Sequence, residues 1–198
     1  VNDFVYTDQA VTYNGYAQTA TVTWKKGYDK TGKITITYKQ GDEEKDPINA
    51  GIYDVWVTSA ASDNFNATKS AINKGTLRID LAKITDVPSN FQLSETSYNY
   101  GEEAKPEVSL KQSSTLIQAG LGAITTKYYN SSDQEVADPT AVGTYTVKIT
   151  MTAGNGYSAI TEPTVVGTFD ITCYKPINPT LSKTDVTRCN GEPKTTGT

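Results

Sequence analysis

The chain has 198 residues, a formal net charge of −4 and no histidine. The lack of histidine removes the commonest general base and the commonest side chain that binds transition metals. The sequence has no basic cluster and no run of about 18 apolar residues, which argues against nucleic acid, anionic membrane surfaces and membrane insertion. Thr, Val, Tyr and Ile are abundant, as is typical of β-strands. We therefore expect an all-β protein that is not an enzyme and needs no cofactor.

Two alternating segments in the first part of the chain predict strands with one buried face. In residues 19–25 and 33–39, Ala, Val, Trp, Ile and Tyr alternate with Thr and Lys. A stretch that contains Gly and Asp, residues 26–32, separates the two segments. This arrangement predicts that the two strands pair with each other as a β-hairpin.

An acidic run follows, with Asp42, Glu43, Glu44 and Asp46 in close succession. Several carboxylates in one loop are what Ca²⁺ prefers, but the run lacks the glycine and the closing glutamate of an EF-hand loop. We therefore predict a solvated loop and no metal site.

The segment 49–58 is the clearest feature of the sequence, because it returns at 140–150. Gly51 and Gly143 lie 92 positions apart (143 − 51), and Tyr53 and Tyr145 have the same spacing. Other matches follow at offsets of 86 to 92, and the offset grows only between predicted strands, where insertions are tolerated. The late matches include Phe65 with Tyr157 and Gly75 with Gly167. The chain is therefore predicted to be a tandem duplication.

The repeat divides the chain into a first module at 1–82, a second module at 83–172 and a tail at 173–198. The tail repeats motifs from the start of a module and is predicted to be the truncated start of a third repeat. Segment 116–121 could form one helical turn inside an enlarged loop. With about five strands per module, the first prediction for the fold is an immunoglobulin-like sandwich, and the alternative is a mostly-β, grasp-like sheet.

The inward phase of each strand predicts one hydrophobic core per module. The first core is predicted to contain Val22, Trp24, Ile34, Ile36, Tyr38, Tyr53, Val55, Val57, Leu77 and Ile79. The second core is predicted to contain Val108, Leu110, Ile124, Tyr128, Tyr145, Val147, Ile149, Phe169 and Ile171.

These motifs resemble an MBG/YDG-type repeat. The resemblance is carried by Tyr13-Asn14-Gly15, by residues 49–55, by Asn64-Phe65-Asn66 and by residues 75–79. It implies a module of the bacterial immunoglobulin-like kind, found in long surface proteins of bacteria, many of them Bacteroidetes. The second copy departs from the motif, since Tyr98-Asn99-Tyr100-Gly101 replaces the Tyr-Asn-Gly turn and Val142 replaces Asn49. The family carries no catalytic residues that could be transferred to this chain.

Three aromatic residues are the candidates for contact with a ligand or a neighbouring module: Trp56, Tyr16 and Tyr28. Trp56 is out of phase with Tyr53 and Val55 and is predicted to lie on the polar face of its strand. It could pack against a module, lie under a loop, or stack on a sugar ring.

Cys173 and Cys189 lie 16 residues apart (189 − 173), and in an exported protein they could form a disulfide. The alternative is that Cys189 pairs with a cysteine beyond Thr198.

Two functions remain open. The first is a non-catalytic stalk or spacer in a cell-surface adhesion protein, with neighbouring repeats of the same chain as partners. The second is direct binding of a host glycan or matrix protein through aromatic residues of the faces and loops. Both imply an extracellular location, with a signal peptide that is not part of this sequence.

Overall fold

The structure, a computed structural model, describes residues 3–27, 32–63 and 65–173. They form two compact units. Unit 1 takes its described residues from Val1–Lys83, Ala119–Leu121 and Ala153–Ser158, and unit 2 takes its residues from Ile84–Gln118, Gly122–Thr152 and Ala159–Thr198. The regular secondary structure is almost wholly β-strand, which confirms the predicted all-β class.

Unit 1 contains two sheets. Its strands are β1 (Phe4–Val5), β2 (Gln9–Thr12), β3 (Thr23–Trp24), β4 (Ile34–Gln40), β5 (Glu43–Glu44), β6 (Gly51–Ser59) and β7 (Ile72–Asp80). Five of them form one sheet in the order β2-β7-β6-β4-β5, and β1 pairs with β3 in a second sheet. Phe4 and Trp24 of the small sheet pack with Val55, Val57 and Leu77 of the large sheet. The unit is therefore a sandwich with a hydrophobic core between two unequal layers.

The predicted hairpin between residues 19–25 and 33–39 is wrong. Strand β3 pairs with β1, where Phe4 lies opposite Trp24, while β4 pairs with β5 and β6. The two segments have the right inward faces, but they belong to opposite layers of the sandwich. Alternation shows which face of a strand is buried, and it carries no information about the strand's partner.

Unit 2 repeats this architecture. It begins with a single helical turn, α1 (Val87–Asn90), which Asp86 caps by accepting a hydrogen bond from the Ser89 amide at 3.0 Å. Its strands are β8 (Phe91–Leu93), β9 (Ser97–Asn99), β10 (Val108–Leu110), β11 (Ile124–Tyr129), β12 (Gly143–Met151) and β13 (Ile160–Thr172). The large sheet has the order β11-β12-β13-β9, and β8 pairs with β10. A 3₁₀ turn at Gln118–Gly120 confirms the helical turn predicted for 116–121.

The duplication extends to local irregularities of the backbone. The ladder between β6 and β7 shifts register after Val55, which lies opposite Gly75. The ladder between β12 and β13 shifts after Val147, which lies opposite Gly167. A β-bulge is a specific feature of a fold, and finding it at matched positions supports a common origin for the two units.

Each unit also contains the same buried tyrosine at the start of its central strand. The Tyr53 hydroxyl donates a hydrogen bond to the Asn49 carbonyl at 2.9 Å, and the Tyr145 hydroxyl donates to the Ala141 carbonyl at 3.0 Å. A tyrosine that bonds back to the backbone a few residues upstream is the tyrosine corner of immunoglobulin-like sandwiches. In the described part of the chain the helix α1 is only four residues long, which is too short to cross a sheet as a grasp-like fold requires.

Every residue of both predicted sets is buried or half-buried, and most of each set packs in one hydrophobic cluster. The predicted sets left out several residues that the structure buries. They are Phe4, Tyr13, Ala20, Val87, Phe91, Ala104, Met151, Tyr157 and Val166.

Candidate contact surface

Trp56 lies on the outer face of the large sheet of unit 1, between Thr37 of β4 and Asn73 of β7. The ammonium nitrogen of Lys39 sits 4.8 Å from the centre of its ring. The indole nitrogen is buried and has no hydrogen-bond partner among the described residues. Trp56 is thus half-buried under a lysine and is not an open aromatic platform.

Unit 2 has the same contact with the two residue types exchanged. Lys148 occupies the β12 position that corresponds to Trp56, and Tyr129 occupies the β11 position that corresponds to Lys39. The Lys148 ammonium lies 4.2 Å from the centre of the Tyr129 ring and 2.6 Å from the Asp133 carboxylate. Cation–π pairs at such sites contribute about 0.5–1 kcal/mol each. Their shared position indicates that they cover the outer face of the sheet.

The other two candidate aromatics have different outcomes. Tyr16 is 70% exposed, in a loop where the Asn14 side chain accepts hydrogen bonds from the Tyr16 amide and from Gln18. Tyr28 lies outside the described residues. The two described candidates lie in different settings, Tyr16 in an exposed loop and Trp56 on the outer face of the large sheet.

An open groove of about 470 Å³ lies in unit 1 beside the exposed side chains of Ile52 and Leu81. Its charged wall is an ion pair, with Arg78 Nε 3.0 Å from the Asp80 carboxylate. Because Asp80 already neutralises Arg78, the groove offers no strong attraction to a small anion. Its apolar rim suits contact with another protein segment better than it suits catalysis.

The acidic run forms a tight hairpin between β4 and β5, and Asp42, Glu43, Glu44 and Asp46 are all exposed. The residues are solvated, as predicted, although two of them belong to a short strand. In the described part of the chain, no three acidic, cysteine or histidine side chains come together in a way that could hold a metal ion.

The titratable groups with shifted pKa values keep their ordinary charge at neutral pH. Burial raises the pKa of Tyr53 and of Tyr128 above the usual value of 10.0. Hydrogen bonds from Ser89 lower the pKa of Asp86, and a hydrogen bond to Asp138 raises the pKa of Lys105. None of these shifts moves a group toward the range that acid–base catalysis requires.

In both units the first strand of the large sheet pairs in parallel with the last strand. Strand β2 pairs with β7 from Gln9 opposite Leu77 to Thr12 opposite Asp80, and β9 pairs with β13 from Ser97 opposite Asp170 to Asn99 opposite Thr172. Each ladder is extended by one tyrosine amide. Tyr13 donates to the Asp80 carbonyl at 2.9 Å, and Tyr100 donates to the Thr172 carbonyl at 2.8 Å.

The side chain of Tyr13 marks a buried surface of unit 1 that the sequence analysis missed. We call this the Tyr13 surface, formed by Tyr13, Ala50 and Ala82 and covered by residues 154–157. The rings of Tyr13 and Tyr157 meet edge-on, with centroids 5.3 Å apart. A Cβ atom at Gly156 would overlap the Tyr13 ring, so only glycine fits there.

Three backbone hydrogen bonds hold the covering segment on the Tyr13 surface. The Ala50 amide donates to the Asn155 carbonyl at 2.7 Å, the Ala82 amide donates to the Gly156 carbonyl at 2.9 Å, and the Ser158 amide donates to the Ala82 carbonyl at 2.9 Å. The sequence match between Phe65 and Tyr157 pointed to this loop, but no local pattern in the sequence identified its partner.

Cys173 is the last described residue and is exposed, and Cys189 lies outside the described residues. Their disulfide therefore stays a prediction. The suggestion that 173–198 begins a third repeat also concerns residues that are almost all outside the described part.

Residues 6–83 match the family model of the MBG domain. The MBG-type resemblance is thus confirmed for the first repeat. No curated protein and no solved structure matches the chain significantly. No helix in the described residues is long and apolar enough to cross a membrane.

Proposed function

We propose, from the premise that residues 6–83 are an MBG domain, that the chain is a non-catalytic stalk or spacer in an extracellular adhesion protein of a bacterial cell surface. Repeats of one fold in tandem lengthen a protein without adding a site, which is the economical way to build a spacer. The partners are then neighbouring repeats of the same chain.

The observation that carries this proposal is the parallel closure of both large sheets. When the chain is pulled through its ends, tension passes through β1, reaches the large sheet at the start of β2 and leaves it at the end of β7. These are opposite ends of one parallel ladder, from Gln9 opposite Leu77 to Thr12 opposite Asp80. The hydrogen bonds of that ladder are therefore sheared together and are not opened one after another.

The same closure in unit 2 extends the argument to the second repeat. Strand β9 is the first strand of the large sheet of unit 2 and β13 is the last, and the two pair in parallel. Forced unfolding is governed by the unfolding rate. A geometry in which several hydrogen bonds must break together slows unfolding, so it suits a unit that transmits tension.

Direct binding of a host glycan or matrix protein remains a second candidate, because Tyr16 is 70% exposed and Trp56 lies on an outer face. Against it, Lys39 occupies the ring face of Trp56 on which a sugar would stack. The chemistry of the Trp56 contact therefore favours the spacer.

A binding screen separates the two functions. The full chain and its Trp56→Ala and Tyr16→Ala variants are tested against arrays of glycans and of matrix proteins, with circular dichroism as the folding control. A spacer gives no binding that either substitution changes. Binding by the full chain that Trp56→Ala or Tyr16→Ala abolishes, with the fold intact, would contradict the spacer and support the second candidate.

A further inference from the structure

The Tyr13 surface of unit 1 has a counterpart in unit 2. Asn99 lies opposite Thr172 in the β9–β13 ladder, as Thr12 lies opposite Asp80 in the β2–β7 ladder. The next residue of each chain segment is a tyrosine, and both tyrosine amides donate to the last strand. Tyr100 is therefore the structural counterpart of Tyr13.

Val142 completes the counterpart surface. Gly51 lies opposite Ile79 and Gly143 lies opposite Ile171, so the residues just before them, Ala50 and Val142, correspond to each other. The structure thus matches Val142 with Ala50, whereas the sequence alignment matched it with Asn49. We call Tyr100 and Val142 together the Tyr100 surface.

The two surfaces differ in their exposure. Tyr13 is only 6% exposed because the segment 154–157 covers it, whereas Tyr100 is 43% exposed and Val142 is 45% exposed. Val142 also makes the Tyr100 surface more apolar than its counterpart, where Ala50 stands. An exposed aromatic and an exposed aliphatic residue at the position of a covered contact indicate a surface that another segment can bury.

The occupant is identified by the segment that covers the surface in unit 1. That segment is Gly154-Asn155-Gly156-Tyr157, and its two functional features are a glycine that admits the tyrosine ring and an aromatic residue that meets the ring edge-on. Its backbone is braced by the Gly120 carbonyl, which accepts from the Gly156 amide at 3.0 Å and from the Tyr157 amide at 3.1 Å.

We propose that the Tyr100 surface binds the glycine–aromatic loop of a further repeat of this type. The proposal rests on the proposed function, since an array of repeats supplies that loop at high local concentration through a short linker. A further repeat that carries a loop like 154–157 then covers Tyr100 as that loop covers Tyr13 in unit 1.

The test uses an extended chain in which residues 81–172 are duplicated in tandem after Thr172, with the rest of the protein unchanged. Leu81 and Ala82 then follow Thr172 as they follow Asp80 in the natural chain. Tyr100→Ser in the upstream copy is expected to leave the melting temperature of the 198-residue chain unchanged and to lower that of the extended chain by about 4 °C or more. Tyr16→Ser, on a loop outside the surface, is the matched control and is expected to change neither.

A second readout needs no substitution. The upstream Tyr100 ring should react several-fold more slowly with a tyrosine-modifying reagent in the extended chain than in the 198-residue chain. Replacing Gly156 of the added copy by Leu should restore the fast rate, because a side chain there overlaps the tyrosine ring. Equal reactivity in the two chains, or an equal effect of Tyr100→Ser on both, would overturn the proposal. Neither result depends on glycan binding, so the spacer function is tested separately.

Discussion

Units 1 and 2 use the same strand order but differ at one pair of matched positions, where the aromatic ring stands in different layers. In unit 1, Trp24 of the small sheet stacks on Phe4 with ring centroids 4.6 Å apart, and the large sheet contributes Leu77. In unit 2 the small sheet carries Leu110, and the large sheet carries Phe169 at the position of Leu77. Because both layers face the same core, a large side chain can stand on either layer without a change of fold.

The outer faces follow the same rule. The Lys39–Trp56 contact of unit 1 and the Lys148–Tyr129 contact of unit 2 place an aromatic ring and an ammonium on the same two strands in opposite order. The comparison shows that the fold constrains which positions touch. It leaves open which partner supplies the ring.

The largest effect is expected from a substitution that disrupts the aromatic cluster of unit 2. Phe169 contacts Tyr98, Tyr128 and Tyr145, with ring centroids 5.6, 5.9 and 5.3 Å away. Phe169→Leu, which copies unit 1, should lower the free energy of unfolding of unit 2 by about 2–3 kcal/mol, since ring pairs contribute beyond their buried area. Urea unfolding measures the loss.

Phe65→Leu provides the matched control for that substitution. Phe65 is 39% exposed, so the same change of side chain should cost no more than about 0.5 kcal/mol. A loss at Phe169 as small as the loss at Phe65 would show that the cluster does not stabilise unit 2.

The second effect separates the two matched bulges. Gly75 has a φ angle of 140°, and a Cβ there would overlap the Asp8 carboxylate, which accepts a hydrogen bond from the Thr76 amide at 2.7 Å. At Gly167 a Cβ would lie at an ordinary 3.6 Å from Leu93. Gly75→Ala should therefore cost about 1–3 kcal/mol, through backbone strain and the disturbed hydrogen bond.

Gly167→Ala is the paired measurement, and it should change the stability by less than about 1 kcal/mol. Differential scanning calorimetry of the two variants gives both values. Equal losses would contradict the difference in backbone conformation between the two bulges.

The length of each strand decided how much of the fold could be predicted from the sequence. The long strands β6 and β12 alternate over nine residues, and their buried residues were identified from the sequence except for Ser59 and Met151 at the strand ends. Strands β1 and β3 have only two residues each, which is too short for a period to be visible. The prediction consequently missed β1 and gave β3 the wrong partner.

The contact sites were harder to predict than the core, because their partners are distant in sequence. Tyr13 packs against Tyr157, and β2 pairs with β7. No local pattern in the sequence predicts either contact. Trp56 was correctly assigned to the outer face, but its lysine lies diagonally across a neighbouring strand. The partner of a single out-of-phase aromatic residue becomes visible only when strand register is known.

The third effect should be equal in both units. Tyr53→Phe and Tyr145→Phe each remove a buried hydroxyl that donates to a backbone carbonyl. Each change should lower the stability of its unit by about 1 kcal/mol, as measured by urea unfolding. A loss in one unit alone would mean that only that unit depends on its tyrosine corner.

The smallest effect under ordinary conditions appears at high pH. Burial raises the pKa of Tyr6, Tyr13 and Tyr53 in unit 1 and of Tyr98 and Tyr128 in unit 2 above 10.0. A raised pKa in the folded state favours the neutral phenol, so this stabilisation is complete below pH 10 and is lost as the pH rises through the folded-state values.

Urea unfolding at pH 9 and above pH 10 measures this loss. Unit 1 should lose stability more steeply because it buries more of these tyrosines in the described residues. A comparable loss between pH 7 and pH 9 would contradict the assignment to tyrosine.

The central claim is that parallel closure makes each repeat resist tension, and single-molecule pulling tests it most directly. Unit 1 is pulled first through the ends of the chain, which shears the β2–β7 ladder. It is then pulled through handles at Thr12 and Asp80, which are opposite each other at one end of that ladder and open it bond by bond. We expect a several-fold higher unfolding force in the first geometry. Equal forces in the two geometries would contradict the claim.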